Sequence, residues 1–106
     1  MAQSSAVDLL LRPSPPREVA DAVALLQAAA DPVRWTVLER LAAGPRCVCD
    51  LQEHLDVSST LLSYHLRILR DAGLVTTSRR GRWIDYALAP DASSRLTAAL
   101  PAHVSL

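Results

Sequence analysis

Cys47 and Cys49 stand one residue apart in the run CVCDLQEH, with Asp50 directly behind them and His54 four residues beyond Asp50. Two thiolates this close suit a soft metal or metalloid ion, because polarisable sulfur favours polarisable cations. If the run opens a helix, the partial positive charge at the helix start favours the thiolate form that such an ion needs. Asp50 and His54 have i, i+4 spacing on one face of that helix and can add an oxygen and a nitrogen donor. Each also has a plainer role: Asp50 complements the positive end of the helix and His54 sits in solvent. Alternatively the two thiols serve as a redox switch. In a reducing compartment they are expected as free thiols or ligands rather than a structural bridge, and a bridge between such near neighbours is expected to be strained.

A second kind of chemistry lies just downstream, in STLLSYHLRILRDAGLV. With a 3.6-residue period, Ser59, Thr60, Ser63, Tyr64 and Arg67 fall opposite Leu62, Leu66 and Leu69. Hydroxyls, a phenol and a guanidinium on one face of a helix match what the DNA major groove offers. Arg67 can form a bidentate contact to guanine, worth about 1–3 kcal/mol of discrimination. The serines, Thr60 and Tyr64 serve phosphates or base edges. Arg79, Arg80 and Arg82 surround Gly81 and can reach phosphates or the neighbouring minor groove. His65 lies between the polar face and the apolar stripe and is read as a packing histidine. Trp83 and Tyr86 are read as wing core.

Charge distribution supports a nucleic-acid partner although the formal net charge is zero. Residues 1–57 carry five Arg against eight acids, and residues 58–86 carry five Arg against Asp71 and Asp85, so the halves are −3 and +3. The molecule is polar, with one basic face. No paired carboxylates, phosphate loop or nucleophile and base set points to an enzyme.

The elements that must hold these residues can be read from breaks and periodicity. At 106 residues, half of them apolar and 21% charged, the chain is expected to be one globular domain, small enough to gain from a partner subunit. Residues 1–16, with Pro13, Pro15 and Pro16, read as a flexible N-terminal arm. The arm's apolar run, Val7 to Leu11, is too short for a membrane span and lacks a basic leader, so a cytoplasmic protein is expected. Residues 17–106 form the domain. Its first helix starts at Arg17, with Val19, Val23, Leu26 and Ala30 in a stripe. Asp31-Pro32 caps a second helix, running to about Ala43, whose inner face is Trp35, Leu38, Leu41 and Ala42. A third spans about Val48 to Leu55. Ser58 caps a fourth, about Ser59 to Ala72, ended by Gly73 in the left-handed conformation. A short helix, a tight turn and a longer basic helix make a helix-turn-helix. Leu74 to Ser78 and Arg82 to Leu88 form a two-stranded wing with Arg79-Arg80-Gly81 at its tip. Pro90-Asp91 opens a last helix to about Leu100. The fold class is therefore mainly α with a small β-hairpin, a winged helix-turn-helix.

In this order of elements, ADPVRWTVL (Ala30 to Leu38), CVCDL (Cys47 to Leu51), the SxHLxxLRxAGLV pattern (Ser63 to Val75) and RRGRWIDYAL (Arg79 to Leu88) make the chain resemble the ArsR/SmtB family of winged helix-turn-helix metalloregulators. The similarity runs without a gap from about Val19 to Pro90. The resemblance implies a homodimer paired through its first and last helices. It implies a repressor that binds a double-stranded DNA operator and leaves it on binding a metal or metalloid. Cys47-Val48-Cys49 lies where the arsenic and cadmium branches hold metal, so arsenite, cadmium or zinc is implied at the thiolates. Trivalent arsenic favours three thiolates, however, and the family's third cysteine position is Gln52 here. The N-terminal arm has no cysteine to complete the two-subunit thiolate site of the cadmium and lead sensors. The family's other site, on the last helix, would take nickel, zinc or cobalt. Aligned from Tyr86, its four positions fall on Pro90, Ala92, His103 and Leu106, with Asp91 one residue out. His103 with Asp91 or His54 is the remaining arrangement for such an ion. A second reading keeps the DNA-binding fold without metal, controlled by a partner protein through the dimer helices, with activation as open as repression.

Overall fold

The structure is a computed structural model and is described for residues 16–101, so the arm over residues 1–15 and His103 lie outside the described residues. The element order is α1 (Arg17–Ala29), α2 (Pro32–Ala42), β1 (Arg46–Cys47), α3 (Val48–His54), α4 (Ser59–Asp71), β2 (Val75–Arg80), β3 (Trp83–Leu88) and α5 (Ala92–Ala99). None of these helices is long and apolar enough to cross a membrane.

The breaks between helices are chemical. Asp31 ends the gap after α1 and caps α2: its Oδ1 accepts from the Val33 and Arg34 N–H groups at 2.8 and 3.1 Å, and Pro32 supplies the preset φ of a first helical residue. The Ser58 Oγ accepts from the Leu61 N–H at 3.1 Å and starts α4. At the far end of α4 the Leu74 N–H reaches the Leu69 carbonyl and the Gly73 N–H the Arg70 carbonyl, with Gly73 at φ +74. This 6→1 and 5→2 pair is a Schellman motif, which only a residue tolerant of positive φ closes cheaply.

The core is built chiefly of leucine, as a chain without Phe requires. Leu62, Leu66 and Leu69 of α4 meet Leu51 of α3, Val37, Leu38 and Leu41 of α2, and Leu74 and Val75 beyond the Schellman turn, all nearly or fully buried. Burying such stripes is the main stabilising term of the helix-turn-helix.

Five expectations need correction. Of the proposed inner face of α2, Trp35 and Ala42 are exposed, and Val37 is buried in their place. The stripe of α1 also faces outward, with Val19 and Val23 about half exposed, because Ala28 and Ala29 make the core contact. The hairpin turn lies at Gly81-Arg82 rather than at Arg79-Arg80-Gly81: Arg80 pairs with Trp83 and Arg79 with Ile84 inside the ladder. Trp83 is half exposed on that wing and is not part of a core, whereas Tyr86 packs against it. The sheet has three strands in the order β1-β3-β2, because Arg46 and Cys47 pair with Tyr86 and Asp85. A two-residue strand carries no periodicity from which it could be read.

Removing the α2 cap gives a first test. Asp31→Ala is expected to lower stability by about 0.5–2 kcal/mol at neutral pH. Partial burial of the Asp31 carboxyl opposes its ionisation, but the Arg34 and Val33 N–H groups and the nearby His65 and Arg34 side chains outweigh that and hold it below the ordinary value of 3.8. A lowered folded value means that the stabilisation is complete above the ordinary value and lost as pH falls through the lower one. Urea melts of the two proteins between neutral and strongly acid pH should therefore converge at the acid end; a gap independent of pH would contradict the cap.

Candidate nucleic-acid interface and thiol site

The N-cap at Ser58 and the leucine stripe together fix which way α4 faces. With Leu62, Leu66 and Leu69 turned inward, Ser59, Thr60, Ser63, Tyr64 and Arg67 are all exposed, as the period requires. Thr60, Ser63, Tyr64 and Arg67 share a cleft of about 530 Å³ that is closed on its other side by Val48 and Tyr86. Ser59 lies in the first turn, outside this lining. The structure adds two residues that sequence reasoning did not assign here: Arg70, one turn beyond Arg67 on the same face, and Tyr86 of β3. The i, i+3 spacing of Arg67 and Arg70 was the available signal for the first. Nothing local marks Tyr86.

His65 is buried behind this face, 6% exposed. Arg34 of α2 reaches it: Nη1 lies 2.9 Å from His65 Nδ1, while Nε and Nη2 donate to the Ala28 and Gln27 carbonyls at the end of α1. A guanidinium has only donors, so Nδ1 is the acceptor in this contact. Asp31 Oδ1, 3.9 Å from the same Nδ1, adds a longer-range charge. The Tyr64 ring meets the His65 ring edge-on at 5.3 Å between centroids. His65 thus packs and orients, and Arg34 ties the middle of α4 to the α1–α2 junction.

On the wing, Arg80 and Asp85 form a two-bond ion pair, Nε to Oδ2 at 3.0 Å and Nη2 to Oδ1 at 3.2 Å. The hydrogen bonds from Arg80, with its charge, hold the Asp85 carboxyl below the usual aspartate value, and Asp85 in turn raises that of Arg80. Arg79 and Arg82, which form no ion pair among the described residues, are left with the wing's uncompensated charge.

The thiol site departs from expectation. The Cys47 and Cys49 sulfurs are bonded to each other, where two free thiols were expected. The reason is the turn at Cys47, extended at φ −76 and ψ 161, as the chain passes from β1 into α3. It sets the two Cα atoms 5.3 Å apart, inside the ordinary range for a bridge. Cys47 also caps α3, its Sγ accepting from the Asp50 N–H at 3.4 Å. Asp50 is the residue gathered with the sulfurs: one ligand atom from each of Cys47, Cys49 and Asp50 lies within 4.8 Å of the others. His54 is not gathered there, since its Nδ1 is engaged with the Asp50 carbonyl at 2.8 Å. Gln52, at the position of a third thiol, donates instead to the Val57 carbonyl. Asp91 is exposed before α5 and joins no cluster of ligands among the described residues. Once reduced, two thiolates and a carboxylate suit zinc or cadmium better than they suit arsenite, which lacks its third sulfur here.

Known proteins are similar to this chain in sequence and fold. Residues 31–77 match the family model described as "Bacterial regulatory protein, arsR family". The chain is 47% identical over 76 residues to the HTH-type transcriptional repressor SmtB of Mycobacterium tuberculosis, an alignment covering 71% of this chain and 56% of that protein. It is 44% identical over 63 residues to the arsenical resistance operon repressor of Bacillus subtilis, covering 58% and 60%. The matched segment therefore spans less than two thirds of either relative. Among solved structures, an ArsR family transcriptional regulator superposes with a TM-score of 0.68 at 31% identity, covering 74% of this chain and 86% of that one. The family model spans α2, α3 and α4 and ends within β2, so it takes in the whole helix-turn-helix, while the superposition extends the likeness to most of the described fold. The chain belongs to the ArsR family of bacterial regulatory proteins.

Proposed function

We propose that this chain is a homodimeric, sequence-specific repressor of transcription, acting in the cytoplasm, that releases its DNA operator when a soft metal or metalloid ion binds. The observation that carries the DNA-binding part is the cleft on α4, where the exposed Arg67, Arg70, Tyr64, Ser63 and Thr60 converge, beside a wing bearing Arg79 and Arg82. Arg67 reads a guanine edge, the hydroxyls and Tyr64 serve neighbouring edges or phosphates, and the wing arginines hold the backbone. A two-fold dimer would present two such helices to successive major grooves. The dimer surface is the apolar groove of about 550 Å³ between α1, α2 and α5, where Trp35, Leu26, Leu96 and Leu100 are gathered.

The ion would be held by Cys47 and Cys49 as thiolates with Asp50. When bound it would supply a charge that fixes these three donors in one place. Cys47 is paired with Asp85 across β1 and β3, and Asp85 holds Arg80, so displacement at the thiols reaches the wing through two contacts. A coupling of roughly 1–3 kcal/mol is enough for such regulation.

The test starts from a duplex that the protein itself selects from a random-sequence pool. Reduced protein should prefer this duplex to a scrambled one at moderate salt; equal affinity for both would end the reading. Adding cadmium, zinc or arsenite should release the selected duplex, and Cys47→Ser with Cys49→Ser should bind it normally while losing the release. An intact response in that double variant would remove the thiol site. A second reading, a regulator without metal control that answers to a partner protein, gains from the bonded sulfurs, neither of which can ligate an ion until they are reduced.

A further inference from the structure

The last helix reaches the end of the recognition helix with a polar side chain. Arg95, in the middle of α5, donates from Nη1 to the Gly73 carbonyl at 2.9 Å and from Nη2 to the Ala72 carbonyl at 3.0 Å. The Schellman bonds at the end of α4 use the carbonyls of Leu69 and Arg70. The Ala72 and Gly73 carbonyls, just past the helix, take part in neither bond, and the parallel donors of a guanidinium fit such a pair. The cation also sits at the negative end of the α4 dipole. The fit is close: a Cβ on Gly73 would stand 2.9 Å from Arg95 Nη1, so glycine both adopts the positive φ and admits the guanidinium. The main packing partner of α5 is α1. The next residue, Leu96, lines the apolar groove with Leu100 and Trp35. Consecutive residues of α5 thus face two ways, one onto the groove and one onto the end of the recognition helix.

We infer that Arg95 is a positioning residue for DNA recognition: by holding the Ala72 and Gly73 carbonyls it sets the tilt of α4 from the position of α5, so that whatever occupies the groove is felt at the DNA face. This rests on the DNA-binding reading above. Arg95 itself touches neither DNA nor ion. Its removal therefore lowers discrimination between sequences while leaving the number of neutralised phosphates unchanged.

The experiment measures affinity for the selected and scrambled duplexes over a range of salt, with wild type, Arg95→Ala, Arg95→Gln and Arg79→Ala, all below their melting midpoints. Arg95→Ala should lose about tenfold of the selected-over-scrambled ratio, the worth of roughly one charge-assisted hydrogen bond, with the wild-type salt slope. Arg95→Gln, which keeps its stem and one donor, should lose less. Arg79→Ala should weaken both duplexes alike and reduce the slope by about 1. A purely structural role would lower the folded fraction and reduce both affinities equally, leaving the ratio intact. A wild-type ratio in Arg95→Ala, or equal losses with a shallower slope, would overturn the inference. If Arg95→Ala does not fold at the assay temperature, Arg95→Gln decides, and a wild-type ratio there is equally fatal. If wild type prefers no duplex, the DNA reading fails separately, and amide exchange at Gly73 and Leu74 still decides the tie: rates unchanged by Arg95→Gln would refute it.

Discussion

Arg67→Ala is expected to cut affinity for the selected duplex by about 1–3 kcal/mol, roughly five- to 150-fold, and to relax the preference for one base pair of each half-site. The side chain lines the α4 cleft with Ser63, Tyr64 and Arg70 and is exposed to solvent, so its truncation leaves the core intact. Affinity for scrambled duplex should fall far less. Titrations of a panel of single-base variants of the duplex would show the relaxed position; an unaltered preference profile would assign base reading to another residue, with Arg70 the next to test.

Leu62→Ala is expected to be the most damaging single change to the fold. Leu62 is fully buried at the junction of α4 with the rest of the core. A leucine truncated to alanine at such a place loses its transfer energy and leaves a cavity, about 2–5 kcal/mol together. Small domains have about 5–15 kcal/mol in all, so the variant should be largely unfolded by moderate heating. The neighbouring residue is the control: Leu61 is 42% exposed, and Leu61→Ala should stay within about 0.5 kcal/mol of wild type. Urea midpoints for the two variants measure the contrast. Similar midpoints would mean that the α4 stripe faces elsewhere.

These two expectations use what was legible in the residues alone. The leucines at 62, 66 and 69 specify the inward face of α4, and by subtraction the outward one, because a helical period leaves no freedom once one face is buried. Asp31-Pro32, Ser58 and Gly73 set helix boundaries through hydrogen bonds within three or four residues, and the structure places each as read. The burial of His65 follows from the same period.

Errors gathered where an apolar residue had two surfaces to choose from. Trp35, Val19 and Val23 satisfy a helical stripe, but α1 and α2 each carry apolar residues on more than one side, and periodicity does not say which side meets the core. In the hairpin, the Gly81 turn was found, but its register shifted by a residue, because Arg79-Arg80 suits a ladder as well as a tip.

The sequence by itself determined the helices, the boundaries at Asp31, Ser58 and Gly73, the orientation of the recognition helix and the family, since all of these depend on interactions between near neighbours or on one repeated period. Only the tertiary structure decided the β1–β3 pairing, the bonded state of Cys47 and Cys49, the Arg80–Asp85 pair, the Arg34 bridge to His65 and the clasp of Arg95 on Ala72 and Gly73. Most of these join residues far apart in the chain. Even the close pairs depend on how the strands are paired, Arg80–Asp85 across β2 and β3 and Cys47–Cys49 at the end of β1, and no local pattern of residue types encodes the direction in which a long arginine finally reaches.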